Sequence, residues 1–418
     1  MNVLHGGKVV TAIDIGTTKI CVLIGIADGK GGIEVIGMGT APSHGLKKGV
    51  IVDIGLTVQA IKIAIILAEK NSGLTVGPVV VGISGGHIQS FNSKGVVAIK
   101  RRDVMPDDIE RVIEAAKAVP IPQDREILQI IPQYFRVDGQ ENVLDSLGMH
   151  GIRLEAQVHI ITGAVSSAHN IITACELAGL KVEDIVLEQI ASAEAVLTDS
   201  ERELGVGILD IGGGTSDFAL YRSGRIMHSK VIPIAGNHFT NDLAIGLEAS
   251  LKISEDVKRK YGFVTEESYI NFDTALLELT REVDQKVKKV ELYRVYQVLN
   301  PRAEEVFDFL HEEMMLYHLK EIMPLGLVLT GGGALLRGME ELAQTILDIP
   351  IRVGIPFSDS DDNALLVPDS IKSPIYATGY GLLLYAVRGQ QAVSESLKNI
   401  PIMSRVLHRM KSWIYEYL

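Results

Sequence analysis

Two segments about 200 residues apart carry the same chemistry-bearing pattern. Residues 9–25 read as an apolar strand, then Asp14-Ile15-Gly16-Thr17-Thr18-Lys19, then a second apolar strand. Residues 206–220 repeat that order around Asp210-Ile211-Gly212-Gly213-Gly214-Thr215-Ser216-Asp217. Each predicts a β-hairpin whose glycines supply positive φ in the loop. Glycines also let successive backbone N–H groups approach phosphate oxygens, which makes an anion-binding concavity. Asp14 and Asp210, ending their strands, suit Mg²⁺ held through water, because that ion keeps much of its hydration. Thr and Ser hydroxyls add donors. Two such hairpins suggest two related lobes gripping one polyphosphate from both sides.

A third cluster, residues 326–342, reads as a buried strand, then Gly331-Gly332-Gly333, then a helix. Three glycines there let a flat ring and ribose lie on the backbone near a helix N-terminus. Two segments of small residues complete the set, 187–197 and 376–386. Ala, Ser and Gly at helical spacing permit close helix crossing, as a hinge between lobes needs.

These elements sit in a chain of 418 residues, enough for two to four domains at about 100–200 residues each. With 47% hydrophobic and 22% charged residues, disorder is excluded. A net charge of −12 argues against broad nucleic-acid binding, which needs a basic face. Cys21 and Cys175 form no CxxC pair and predict two reduced, buried thiols. The apolar run at residues 60–68 is broken by Lys62 and too short for a membrane span, and no secretory signal is visible. No HExxH, Walker A or GxGxxG pattern occurs.

The last residues break with this acidic average. Met403, Val406, Leu407, Met410, Trp413, Ile414, Tyr417 and Leu418 fall within an arc of about 140° at helical spacing. Arg405 and Arg409 flank one edge, Lys411 the other, and Ser404 is a helix N-cap candidate. An apolar face with cationic margins and an interfacial Trp describes a helix lying in an anionic membrane surface. The polar, Pro-ended stretch 388–401 before it reads as a tether. From Arg281 to Lys320 the chain is charge-rich and helical in pattern, including Lys286-Val287-Lys288-Lys289.

The ordered set of hairpin, small helix, hairpin, triple-glycine loop and small helix resembles the actin and heat-shock-chaperone ATPase fold. Within that superfamily, the insertion motifs are similar to those of the FtsA family of bacterial cell-division proteins. They are Ser84-Gly85-Gly86-His87-Ile88, Ile131-Pro132-Gln133, Gly148-Met149-His150-Gly151-Ile152-Arg153 and Gly236-Asn237-His238-Phe239. The resemblance implies an α/β, two-lobed ATPase fold with an FtsA-type inserted subdomain and a C-terminal amphipathic helix. By it, the ligand is ATP with Mg²⁺, and hydrolysis is slow at most. Asp14, Gly16, Thr17, Thr18, Lys19, Asp210, Gly212, Gly213, Gly214, Thr215 and Asp217 would hold the phosphates and metal. Glu255, Lys258, Gly331, Gly332 and Gly333 would hold the adenosine, and Glu188 would position the hydrolytic water.

The resemblance further implies a polymer that tethers the tubulin-like FtsZ ring to the inner face of the cytoplasmic membrane and recruits later division proteins. Its lobes would be 1–83 with 163–199 and 372–390 (first-lobe core) and 200–231 with 306–371 (second-lobe core). The inserted subdomain 84–162 would meet later division proteins. An upper second-lobe subdomain, 232–305, would hold the FtsZ C-terminal peptide, with Arg302 at a Pro-Arg helix start as its contact. Residues 391–403 would be a linker and 404–418 the membrane helix. Gln189 stands where the family usually has Pro, Gln129 where it commonly has His, and Ser146 where it has Pro. Competing readings are an MreB-like or PilM-like assembly factor, or a sugar-kinase or phosphatase-type enzyme of the same fold.

Overall fold

The computed structural model describes residues 7–27, 32–268, 276–280, 287–357 and 367–391. The linker beyond Gln391 and the amphipathic segment 404–418, with every residue assigned above to the membrane, lie outside the described residues.

The chain opens with β1 (Lys8–Ile15), β2 (Lys19–Ala27) and β3 (Ile33–Pro42), an antiparallel meander. A short ribbon, β4 (Leu46–Lys47) and β5 (Val50–Ile51), leads to α1 (Ile54–Ser72) and β6 (Val79–Ile83). There the chain leaves the lobe for an insertion of β7 (Gln89–Ala98), α2 (Pro106–Lys117), β8 (Arg125–Val137), β9 (Gln140–Val143) and β10 (Arg153–Ala164). It returns through α3 (Val165–Leu177), β11 (Val182–Leu187) and α4 (Glu188–Val196). The first-lobe sheet has the order β11-β6-β1-β2-β3, and the insertion forms its own sheet, β7-β10-β8-β9.

The second lobe repeats the plan. After α5 (Asp199–Leu204) come β12 (Val206–Ile211), β13 (Ser216–Arg222) and β14 (Arg225–Ile232), again an antiparallel meander. Helices α6 (Gly236–Leu247) and α7 (Leu251–Tyr261) follow, then the ribbon β15 (Leu276–Thr280) and β16 (Val287–Glu291) and the long α8 (Tyr293–Leu316). The lobe closes with β17 (Leu327–Thr330), α9 (Met339–Leu347) and β18 (Ile351–Val353), in the order β14-β13-β12-β17-β18. Finally α10 (Ala377–Gln391) returns to pack on α4 and the first-lobe sheet. Central strands such as β2 and β12 are buried along nearly their whole length, so they read as continuous apolar runs rather than alternating ones.

Within 281–320 the helical expectation holds for α8 and fails for residues 287–291, which form β16. Lys288 and Lys289 lie on a strand, because Leu277 and Leu279 of β15 and Val290 of β16 alternate into the second-lobe core with period two. Pro301-Arg302 does not start a helix either; it lies inside α8. Val295, Leu299, Ala303, Val306, Phe307 and Leu310 form one buried face on both sides of the proline. That burial, about 1.5–3 kcal/mol per large side chain, outweighs a proline cost of about 3 kcal/mol.

The insertion belongs by chain to the first lobe but leans on the second. The Gln133 amide of β8 donates to the carbonyls of Met227 (2.7 Å) and Ile226 (3.2 Å) on β14. Ser90 donates to the Ser229 carbonyl at 2.6 Å, and His159 Nε2 lies 2.9 Å from the Ser229 hydroxyl. Burial and the neighbouring His228 push the His159 pKa down to about 3, so its ring is a neutral spacer.

The small helices cross as closely as their composition predicts. A Cβ built at Gly381 of α10 would overlap the Ala191 carbonyl of α4, while one at Gly77 would meet nothing. Overpacking of this kind costs about 1–3 kcal/mol. Gly381→Ala is expected to lower the thermal midpoint by several degrees, with Gly77→Ala near wild type. Equal midpoints in differential scanning calorimetry would refute the close crossing.

Candidate functional site

The two Asp-Ile-Gly hairpins have the same register. Asp14 pairs with Cys21 across the first, and Asp210 with Asp217 across the second. They face each other over a cavity of about 700 Å³, within the range usual for small-molecule sites. Its lining unites Asp14, Gly16, Thr17, Thr18, Lys19, Asp210, Gly212, Gly213, Gly214, Thr215 and Asp217 with Glu188, Glu255, Lys258, Gly331, Gly332 and Gly333. The structure thus gathers every sequence-derived phosphate, adenosine and acid candidate. It leaves Arg302 out, and the tail residues lie outside the described chain.

The hairpin glycines serve a different need from the one expected. None of Gly16, Gly212, Gly213 and Gly214 has positive φ. A Cβ at Gly213 would overlap the Thr18 hydroxyl, and one at Gly214 the Thr17 hydroxyl, so these glycines let the opposite loops approach. Among the described residues, the N–H groups of Thr17, Thr18, Gly213 and Gly214 donate to no backbone carbonyl. Four free donors around one cavity make an anion cradle. Gly331, at φ +80°, does need its left-handed backbone; a Cβ there would also strike Asp210. At Gly332 a Cβ would come no nearer than 3.9 Å to any side chain, so a substituent there extends into the cavity.

Below the cradle lie three buried carboxyl groups, Asp14, Asp210 and Asp217, and a half-buried fourth, Glu188, with Lys19 nearby. Burial raises the Asp14 pKa to about 6, with Lys19 pulling down and Asp210 pushing up. Burial raises Asp217 to about 7, against the donated bond of Ser84. Glu188, the first residue of α4, is held well above the ordinary carboxyl range, first by burial and then by Asp14, Asp217 and Asp210. Asp210 is raised by burial and eased by hydroxyl donors. Lys19 itself is held by the Ile375 carbonyl and lies 4.4 Å from the centre of the Tyr376 ring. Among the described residues, no three acidic, imidazole or thiol groups converge to chelate a metal directly. The surplus of acid in low dielectric favours a cation at a distance that water would bridge.

Three positioning residues escaped the sequence reading. Ser192 of α4 donates to Asp210 Oδ2, and Thr378 of α10 donates to the same oxygen at 3.0 Å. Ser84, the first residue after β6, donates to Asp217 Oδ1 at 2.6 Å. All three reach from the first lobe to acids of the second. In the sequence, Ser192 and Thr378 look like small packing residues. The available signal was a hydroxyl within otherwise apolar helix stripes. On the far side, Lys258 donates to the Gly236 carbonyl at 2.9 Å and pairs with Glu255 at 2.7 Å. Arg302 pairs with Asp242 of α6 at 2.6 Å and with Glu305, tying α6 to α8.

Solved structures with this architecture define the class. The chain superposes on the PilM–PilN type IV pilus biogenesis complex with a TM-score of 0.66 at 18% identity, covering 90% of this chain and 98% of that one. For MreB5 of Spiroplasma citri bound to ADP the TM-score is 0.52 at 17% identity, covering 90% and 94%. The protein has the actin-like fold. A family model described as "SHS2 domain inserted in FTSA" matches residues 85–162, and one described as "Cell division protein FtsA" matches residues 207–381. Cell division protein FtsA of Pseudomonas aeruginosa is 41% identical over 417 residues, 98% of each chain. The Neisseria meningitidis protein is 37% identical (97% and 98%), and that of Escherichia coli K12 is 32% identical (97% of each). The chain belongs to the FtsA family of cell division proteins.

The acid cluster gives a signed pH dependence. Asp217 titrates near 7 in the folded protein and near 3.8 when unfolded, so between those values the folded state binds more protons. Its contribution to stability is therefore fully present below pH 3.8 and lost as pH rises through 7. Asp217→Asn should flatten the fall in thermal midpoint between pH 5.5 and 8, in the absence of nucleotide and divalent cation. An unchanged slope would show that Asp217 is ionised throughout.

Proposed function

We propose that this chain binds Mg²⁺-ATP between its lobes, polymerises, and ties the FtsZ ring to the inner face of the cytoplasmic membrane at the division site. The cavity shared by two opposed hairpins, with donors above and buried acids below, is the observation that carries this reading. The backbone amides of Thr17, Thr18, Gly213 and Gly214 would receive the phosphate oxygens. Asp14 and Asp210 would hold Mg²⁺ through water, and Mg²⁺ supplies charge neutralisation to the phosphates. Gly331, Gly332, Gly333, Glu255 and Lys258 would border the adenosine.

Glu188 must be ionised to accept a proton from water, and its surroundings hold it protonated until positive charge enters. Beside it, Gln189 is buried with neither amide atom hydrogen-bonded. A base held protonated in this way supports slow hydrolysis at most. Calorimetric titration of ATP should show binding that weakens at least tenfold on adding EDTA or in Gly332→Leu. Equal affinity in all three titrations would overturn the nucleotide site.

Two further surfaces follow from the family and the sequence. The amphipathic segment 404–418 would anchor the protein to anionic lipid. Each copy would bind reversibly, and a polymer would bind tightly because later contacts are intramolecular. The subdomain around α6 to α8 would hold the FtsZ C-terminal peptide, with Arg302 as contact, and the insertion would receive later division proteins. FtsZ should pellet with anionic vesicles only when this protein and ATP are present, and Trp413→Glu should abolish that transfer. FtsZ carried down equally by the Trp413→Glu protein would reject the tail as anchor.

A further inference from the structure

Two helix faces on opposite lobes carry unpaired charge of opposite sign beside exposed apolar side chains. On α1, Lys62 and Lys70 flank Ile63, Ile66 and Leu67, and Ile66 is 62% exposed. The four exposed apolar or cationic neighbours of Ile66 fall with it in an arc of about 140° at helical spacing. On the C-terminal half of α8, Glu304, Asp308 and Glu312 lie beside Phe309, Met315 and Leu316, with Met315 63% and Leu316 69% exposed. They too span an arc of about 140°. Among the described residues, none of Lys62, Lys70, Glu304, Asp308 and Glu312 has an ion-pair partner, whereas neighbours such as Arg302 and Glu313 do.

Neither face lines the nucleotide cavity, and among the described residues both stay exposed. Lone exposed apolar residues are ordinary, but a contiguous helical stripe marks an interaction site. The charges choose the occupant. Face against like face would oppose lysine to lysine or acid to acid, which disfavours a two-fold contact through either helix. The lysines of α1 are eight residues apart, and so are Glu304 and Glu312 of α8. At 1.5 Å per residue both pairs span about 12 Å, so the two faces match in sign and in spacing.

We infer that α1 of one copy docks on the C-terminal half of α8 of a second copy of this chain. The contact joins two different surfaces, one on each lobe, so every copy offers one free face of each kind. Such a heterologous contact propagates into a filament unless its rotation closes a ring. The inference rests on the proposed polymerisation and names the surfaces that carry it. A change in the angle between lobes would change the relation between the two faces, and so the geometry of the assembly.

The test uses the full-length protein with Mg²⁺-ATP on anionic vesicles, with assembly followed by light scattering and pelleting. Lys62→Glu/Lys70→Glu and, separately, Asp308→Lys/Glu312→Lys should each raise the critical concentration at least tenfold. Both should keep wild-type ATP affinity and thermal midpoint. Combining all four reversals in one chain should restore assembly to within about threefold of wild type. Wild-type assembly by either two-site variant overturns the interface while leaving polymerisation intact. Loss without rescue in the four-site chain, with the midpoint unchanged, also overturns the pairing of these faces. Absence of assembly by the wild-type protein would instead remove the polymerisation reading itself.

Discussion

The structure is organised around four carboxyl groups gathered between two lobes, three of them buried and one half-buried. Asp14 comes from one hairpin, Asp210 and Asp217 from the other, and Glu188 from the start of a helix beneath them. In low dielectric, such groups cannot all be ionised without compensation, and burial accordingly leads the causes of every raised pKa. The neighbouring cation Lys19 offsets only part of this. What remains is a site that stores protons or attracts positive charge, and either response alters how the lobes attract each other.

Hydroxyl groups make that cluster compatible with a folded chain. Ser192 and Thr378 converge on one oxygen of Asp210, and Ser84 and Thr215 on Asp217. Three of these donors belong to the lobe opposite the acid they serve, so the lobes are joined through the acids themselves. The close crossing of α4 and α10 brings Ser192 and Thr378 to within 3.0 Å of each other. Small residues are therefore needed there for electrostatics as well as for packing.

The insertion extends the connection between lobes to a second place. Gln133, Ser90 and His159 engage β14, and β14 pairs with β13, which carries Asp217 at its start. Ser84, the last first-lobe residue before the insertion, bonds that same Asp217. The inserted subdomain is thus bracketed by contacts to one strand pair. The lobes cannot turn against each other without straining both.

Much of this was legible in the chain. Apolar runs broken by Asp-Ile-Gly specify hairpins because a strand, a turn and an acid at its end are local features of a few residues. The repeated register of the two hairpins, the helix bearing Glu255 and Lys258 and the triple-glycine loop all occur where their patterns place them. Patterning failed where a distant partner decides. Lys288 and Lys289 form a strand because β15 supplies the other half of the ribbon, and Pro301 is carried inside α8 by apolar contacts on both sides of it. The loop glycines stand out in the sequence, yet what requires Gly213 and Gly214 is the opposing threonines nearly 200 residues away, not their own φ. Sequence alone determined most of the element types and picked out the acids and the loops that carry the free amides. Only the tertiary structure decided which hydroxyls meet those acids and which charges stay unpaired, because both depend on groups brought together through space rather than along the chain.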